Sequence, residues 1–344
     1  MIEKRDHIGG NAHDFMESNG ILIHKYGPHI FHTNSPKVWE YLSQFTEWRP
    51  YEHKVLGVIE GKKVPIPFNL NTLHSLFSQL EAQKLEDELI RQYGLGAKVT
   101  ILKLKESANQ ELKSLAEYVY NNIFFGYTKK QWELTPEQLS PSVTARVPVC
   151  INRDDRYFQD KYQAMPKNGF TQMFNKILSH KNIHIACLTE YRDVNLADFK
   201  KVIFTGPIDE YFSFVYGELP YRSLTFELQY HEQQRYQEVG TVNFPNDFTY
   251  TRITEFKHLT GQQIKGTVTA TEYPEPYRRG KNIPYYPIPR DNNSFLLQKY
   301  QNEIEKLKGT VLFAGRLAEY MYYNMDQAAA RALSLFEKEI GENA

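Results

Sequence analysis

Apolar and polar positions recur with different periods along this chain, and the changes of period divide it. Leu73, Leu76, Phe77 and Leu80 follow helical spacing, as do Leu112, Leu115, Val119 and Ile123 after a Ser107 cap. That stretch is expected to form a small helical domain. From 221 to 273 the pattern becomes runs rich in Thr, Tyr, Phe and Val between Asn-Asp and Gly turns, which predicts strands. Residues 51–68 read as a hairpin turning at Gly61. The two ends mix strand, loop and helix. Met1-Ile2-Glu3 reads as the end of a strand, and Gly20 to Ile23 as a second short apolar segment. Ser35-Pro36 supplies an N-cap and first helical position for KVWEYLSQF. A helix is expected over 169–180 and a buried strand over Val202 to Phe204. Residues 140–168 read as irregular. A last strand, Val311 to Ala314, precedes a Tyr-rich loop and a helix from Met325 that Asn324 can cap. An α/β domain interrupted by a helical insert and a β-rich insert accounts for this order.

Composition narrows the function. The 344 residues carry 41 Lys+Arg against 41 Asp+Glu, so no overall basic field exists for nucleic acid or an anionic membrane. No apolar run approaches the roughly 18 residues of a membrane span. The charged start MIEKRDHIGG lacks the apolar core of a secretory signal. Cys150 and Cys187 make no disulfide framework, so a reduced, cytoplasmic compartment is expected. With 24 Tyr and 21 Phe, the chain has rings to spare for a site that stacks on flat or sugar-like ligands.

Five constellations carry candidate chemistry. Glu3 with Gly9-Gly10-Asn11 matches the acidic residue that binds ribose in a dinucleotide-binding unit, although no G-x-G-x-x-G occurs and a bare turn reads equally well. YGPHIFHT places His29 and His32 after a tight Gly27-Pro28 turn, with no acidic or Cys partner in a metal-ligand pattern. FFGYTKKQW crowds Phe124, Tyr127, Thr128 and Trp132 at a helix end. An exposed Trp and Tyr beside Gly126 there would form a stacking platform, and a helix C-cap is the plainer alternative. Arg146 and Arg252 lie in apolar or strand-like runs, where a charge needs a partner such as a ligand diphosphate. Arg153 and Arg156 read as surface ion pairs with Asp154 and Asp155. GRLAEYMYYNMDQ aims the positive end of the last helix at its Tyr-rich loop.

Taken together, EKRDHIGGN, YGPHIFHT, VPIPFNL, FFGYTKKQW, ARVPV, RYFQDKYQAMP, GFTQMF, TGPID, YTRITEFKH and GRLAEYMYYNMDQ resemble, in order, the motifs of the UDP-galactopyranose mutase family. The resemblance spans essentially the whole chain. It implies a cytoplasmic FAD enzyme, active only with reduced flavin, that interconverts UDP-galactopyranose and UDP-galactofuranose for surface polysaccharide. In the family a flavin N5–sugar adduct carries the reaction, and members are commonly homodimers. It further implies that Arg146, Arg252 and His32 are catalytic. Phe124, Tyr127, Thr128, Trp132, Tyr157, Tyr286 and Tyr322 would bind substrate. Glu3, Gly10, Asn11, His29, Gly315, Arg316, Asn324 and Met325 would hold FAD, with Pro28 in the same loop as His29. No nucleic acid, metal or membrane span is implied. A flavin amine-oxidase-like enzyme and a catalytically inactive relative are the competing expectations.

The implied fold is α/β. An FAD-binding Rossmann-like domain (1–50, 183–215 and 290–344) is interrupted by a helical domain (69–135) and an antiparallel sheet domain (51–68, 136–182 and 216–289). Two departures stand out. Asn324 occupies a position where the family often has Asp. The first strand and glycine loop, about 30 residues in such folds, are not found ahead of Glu3. A misplaced start or a fragment is therefore expected, with poor FAD binding.

Overall fold

The computed structural model describes residues 1–288, 290, 293–307, 309–339 and 341. Its largest sheet has seven strands in the order Tyr286–Pro287, Tyr221–His231, Thr267–Pro276, Arg252–Glu255, Thr241–Asn243, Val55–Ile59, Lys62–Ile66. The 55–66 hairpin turns, as expected, at Gly61. Glu60 and Gly61 both have positive φ, +50° and +77°, which is the backbone a two-residue hairpin turn needs and which glycine adopts without strain. All neighbours are antiparallel except Thr241–Asn243, which runs parallel to Val55–Ile59. The expected all-antiparallel sheet is therefore mixed at one junction, where a strand from the first fifth of the chain meets one from its last third.

Below the hairpin, four helices form the expected helical insert: Leu70–Leu76, Gln79–Tyr93, Ile101–Lys105 and Gln110–Val119. Each has a side-chain cap, from Asn69, Ser78, Thr100 and Asn109 respectively. The last differs from the expected Ser107, whose Oγ instead accepts from Asn109 N and so orients the true cap. Leu73, Leu89, Leu104, Leu112, Leu115 and Val119 pack into one core with Val64 and Phe68 of the hairpin. Each such side chain contributes about 1.5–3 kcal/mol of burial.

The α/β part, formed by the two ends of the chain, includes short parallel pairings. Val202–Phe204 runs parallel to Val311–Phe313, and Ile2 bridges in parallel to Ala186. The strand expected to be buried is so only at Phe204; Ile203 is 50% exposed because its side chain projects to the other face. A separate three-stranded antiparallel sheet has the order Phe31–Thr33, Tyr162–Pro166, Trp48–Pro50. Residues 162–166 thus pair with the first fifty residues, not with the seven-stranded sheet to which the expected boundaries assign them. Helix Pro36–Ser43, capped by Ser35 as expected, and helix Phe170–Ile177 close this sheet. Trp39, Trp48 and Phe31 stack there, with ring centroids 4.8–4.9 Å apart along the pairs Phe31–Trp48 and Trp39–Trp48. Among the described residues, no helix is long and apolar enough to cross a membrane.

Candidate active site

A cavity of about 620 Å³ opens where the helical insert, the seven-stranded sheet and the α/β part meet. Its first wall comes from the helix that continues Gln110–Val119. A π-helical turn, Tyr120–Phe125, leads into Gly126–Trp132. The wider turn offsets the drift of a four-residue repeat, so Ile123 and Phe124, Tyr127 and Thr128, and Gln131 and Trp132 all line the cavity. Gly126 is required by contact: a Cβ there would lie 2.5 Å from Pro245 O. The expected exposed platform is corrected on one point. Trp132 is only 6% exposed, because its ring is enclosed by Tyr286 and Tyr322 at 6.0 and 5.8 Å, themselves 5.1 Å apart.

The sheet supplies the second wall. Arg252 stands directly across from Glu272 and from Asn243. Its Nε and Nη2 donate to Glu272 Oε2 at 2.9 and 2.6 Å. Burial disfavours the charge on Arg252, but the carboxylate outweighs it and holds the guanidinium well above its usual pKa. The partner that the sequence placed in a ligand is thus already within the protein. Arg146 differs. It donates to Tyr322 O at 3.1 Å and to Asn324 Oδ1, and its guanidinium lies 4.1 Å from the Tyr322 ring centroid. Among the described residues it has no carboxylate partner. Arg316 is similar, donating to Tyr285 O and Tyr323 O. Among the described residues, then, Arg146 and Arg316 reach the cavity with neutral partners only, which suits a diphosphate. Arg153 and Arg156 are both ion-paired, but only Arg156 has an expected partner, Asp154, along with Glu52, and it lies at the cavity; Arg153 pairs instead with the distant Glu86.

The YGPHIFHT loop forms the floor. Gly27 has φ +86°, and a Cβ there would lie 2.6 Å from the Phe226 ring. His29 Nδ1 bonds to Gly27 O, and burial, with His24 nearby, pushes the ring down to about 3. His32 stacks on Phe158 at 3.6 Å and is held at Nδ1 by Asp160, 2.9 Å away. Its acidic partner, 128 residues distant, was not visible in the local pattern. Burial also raises the phenols of Tyr127, Tyr157 and Tyr286, which stay protonated. Among the described residues, no group of three or more His, Cys, Asp or Glu could hold a metal ion.

Of the expected residues, Arg146, Arg252, His32, Phe124, Tyr127, Thr128, Trp132, Tyr157, Tyr286, Tyr322, Asn11, His29, Arg316, Asn324 and Met325 line this one cavity. Glu3, Gly10 and Gly315 do not. The Glu3 carboxylate accepts from Arg5 N at 3.0 Å, closing its own loop. The Asn324 side chain is engaged by Arg146, and its backbone N–H donates to Gln327 Oε1. Asp326, in the first turn of Met325–Glu339, also faces the cavity, so this helix end is not a bare positive pole. His53, Gln131 and Asn243, which also line the cavity, and Glu272, which holds Arg252, were missed. Gln131 lies within FFGYTKKQW, and the other three are signalled only by cross-strand or long-range placement.

A dinucleotide would find partial provision here. Arg5 Nη1 is buried without a partner, while its Nη2 donates to Asn11, a cavity residue. An unpaired buried guanidinium N–H beside Asn11, with Arg316 across the cavity wall, fits an anionic nucleotide cofactor.

The fold and cavity define a nucleotide-dependent enzyme built on a Rossmann-like domain, and residues 1–45 match the profile described as NAD(P)-binding Rossmann-like domain. Residues 122–322 match the UDP-galactopyranose mutase profile. A probable UDP-galactopyranose mutase of Klebsiella pneumoniae is 37% identical over 337 residues, 97% of this chain and 86% of that protein. A dTDP-fucopyranose mutase of Escherichia coli is 33% identical, over 100% of this chain and 92% of its own. The crystal structure of a reduced UDP-galactopyranose mutase shares the fold, with TM-score 0.74 at 15% identity over 99% of this chain and 88% of that one. The chain belongs to the UDP-galactopyranose mutase family, and is an isomerase.

Proposed function

We propose that this enzyme interconverts UDP-galactopyranose and UDP-galactofuranose using reduced FAD. The observation that supports this best is the meeting of Arg146 with the Trp132–Tyr286–Tyr322 triangle, beside Tyr127 and Thr128, in one cavity. Tyr127 and Phe124 pack on the uracil, with Thr128 beside them. Arg146 meets the diphosphate and stabilises the charge that grows as it leaves. Arg252, tied to Glu272, serves as a fixed dipole beside it, and Tyr157, Tyr286 and Tyr322 donate O–H groups to phosphate oxygens. Asn11, His29, Arg316 and Met325 would hold FAD, and Asn324 orients Arg146. His32, braced by Phe158 and Asp160, would serve the flavin side of the site. When bound, reduced FAD supplies an electron-rich nitrogen nucleophile, and the reaction has no net redox change. The residues around it position the sugar and exclude water.

The same reading takes the enzyme to be a cytoplasmic homodimer that supplies galactofuranose to surface polysaccharide. A discontinuous FAD domain carries the helical and sheet inserts. A second sugar nucleotide is a specific competitor, since one relative is named a dTDP-fucopyranose mutase. The test is turnover with dithionite of UDP-galactofuranose against dTDP-fucofuranose, with an amine and peroxide detection in air, without dithionite, as a third arm. Exclusive conversion of UDP-galactofuranose supports the proposal. Conversion of the dTDP sugar alone, peroxide from the amine, or silence in every arm overturns it.

A further inference from the structure

One fully buried cation has no part in the site as described. Arg222, in strand Tyr221–His231, is 2% exposed. Its Nε donates to Gln131 O at 2.9 Å and its Nη2 to Lys130 O at 3.3 Å. Its Nη1 lies 2.9 Å from Glu133 Oε1. Every group it reaches belongs to the C-terminal end of helix Gly126–Trp132, the end that carries Gln131 and Trp132. Glu133 closes that helix with φ +57°, a left-handed conformation that is strained for a residue with a side chain.

The other side of Arg222 faces the opposite wall. Its strand position is paired with Tyr286, and its carbonyl accepts from Tyr285 N at 2.9 Å. One residue thus grips the helix that bears Trp132 through its guanidinium and the strand that bears Tyr286 through its backbone. The two rings stand 6.0 Å apart. A helix end needs only a surface cation to satisfy its dipole. Burying a guanidinium carries a desolvation cost that an ion pair often does no more than offset, so stability alone is a weak reason for this one. The planar fork holds two carbonyls and a carboxylate in fixed directions, whereas a lysine would present a point charge on a flexible stem and impose no such geometry.

We propose that Arg222, with Glu133, is a positioning residue that sets the spacing of Trp132 and Tyr286 and thereby the grip on the nucleotide. The proposal rests on the nucleotide-sugar reading of the cavity. Arg222 touches neither ligand and acts through Trp132.

The test is calorimetric titration of the FAD-loaded protein with UDP, using Arg222→Lys and Glu133→Ala in the wild-type and Trp132→Ala backgrounds, with thermal midpoints in parallel. Glu133 is exposed, so its variant folds even if the arginine variant does not. In the wild-type background, UDP affinity should fall roughly tenfold for Arg222→Lys and about threefold for Glu133→Ala, the size of a lost coupling between touching groups. In Trp132→Ala the same changes should cost less than about twofold, because the intermediary is gone. Equal losses in both backgrounds, or a lowered midpoint with unchanged UDP affinity, overturn the proposal. If wild-type protein does not bind UDP, the nucleotide reading fails instead. The near-ultraviolet dichroism band lost in Trp132→Ala then decides: its alteration in both latch variants supports the positioning role, and its retention overturns it.

Discussion

Arg252 and Glu272 face each other across adjacent strands, and both guanidinium contacts, 2.9 and 2.6 Å, fall on the same carboxylate oxygen. Glu272 is 1% exposed, so the pair is a fixed element of the sheet, and Arg252 is the member that lines the cavity. Arg146 has only neutral partners among the described residues. The two arginines should therefore fail differently.

Arg252→Ala leaves a buried carboxylate without its cation, a loss of about 3–5 kcal/mol of stability, and turnover should fall with it. Arg146→Ala should change stability by no more than about 0.5 kcal/mol. Its turnover under dithionite should drop by on the order of tenfold to a thousandfold. Urea denaturation beside steady-state kinetics separates the two. Near-wild-type turnover in Arg146→Ala would remove it from the diphosphate site.

Trp132→Ala should weaken UDP binding by about 2 kcal/mol or more, as a lost aromatic anchor does. Because the ring is buried, the unfolding midpoint should fall as well. UDP titration of the folded protein isolates the first effect, and an unchanged affinity would make Trp132 a packing residue only.

Gly126→Ala tests the approach of two backbones. The new methyl would meet Pro245 O at 2.5 Å and Asn246 Oδ1 at 2.6 Å. Overpacking of this kind costs about 1–3 kcal/mol. The helix must shift, so UDP affinity should fall together with thermal stability. A variant with wild-type midpoint and affinity would show that the 244–250 loop yields freely.

Much of this was legible in the residues. The Ser35 cap, the Gly61 hairpin and the Leu112–Ile123 spacing are local, and local rules found them. The motifs around Trp132, Arg146 and Tyr322 each named residues that the fold brings to one cavity. What escaped was set by pairing between distant segments. Glu272 meets Arg252 through strand register, Asp160 meets His32 across 128 residues, and Arg222 meets the end of a helix 91 residues earlier. A carboxylate in the run TATEYPEP carries no local sign that it is buried opposite an arginine.

Acid should loosen the fold early. His24, His29 and His53 are pushed down to about 4, 3 and 3, in each case chiefly by burial. Unfolded, they titrate near 6.5, so below that pH the unfolded chain binds protons the folded one refuses. Their contribution is fully present above about pH 6.5 and is lost as pH falls toward the folded values, at up to about 4 kcal/mol per pH unit. Urea midpoints at pH 7, 6 and 5 should decline steeply, and His53→Gln should flatten the slope. A midpoint that holds from pH 7 to 5 would contradict the neutral-histidine floor.

The one parallel junction of the large sheet, Val55–Ile59 beside Thr241–Asn243, has a consequence for the order of assembly. The hairpin and the four helices below it can form from neighbouring sequence. The seam cannot close until residue 243 has been made and has returned across more than half the chain. Closing so large a loop is slow, and contacts of long sequence separation come late in folding. The helix carrying Trp132 therefore faces an open side until the strand that carries Arg252 has joined the sheet, which places the pocket among the late parts of the molecule to form.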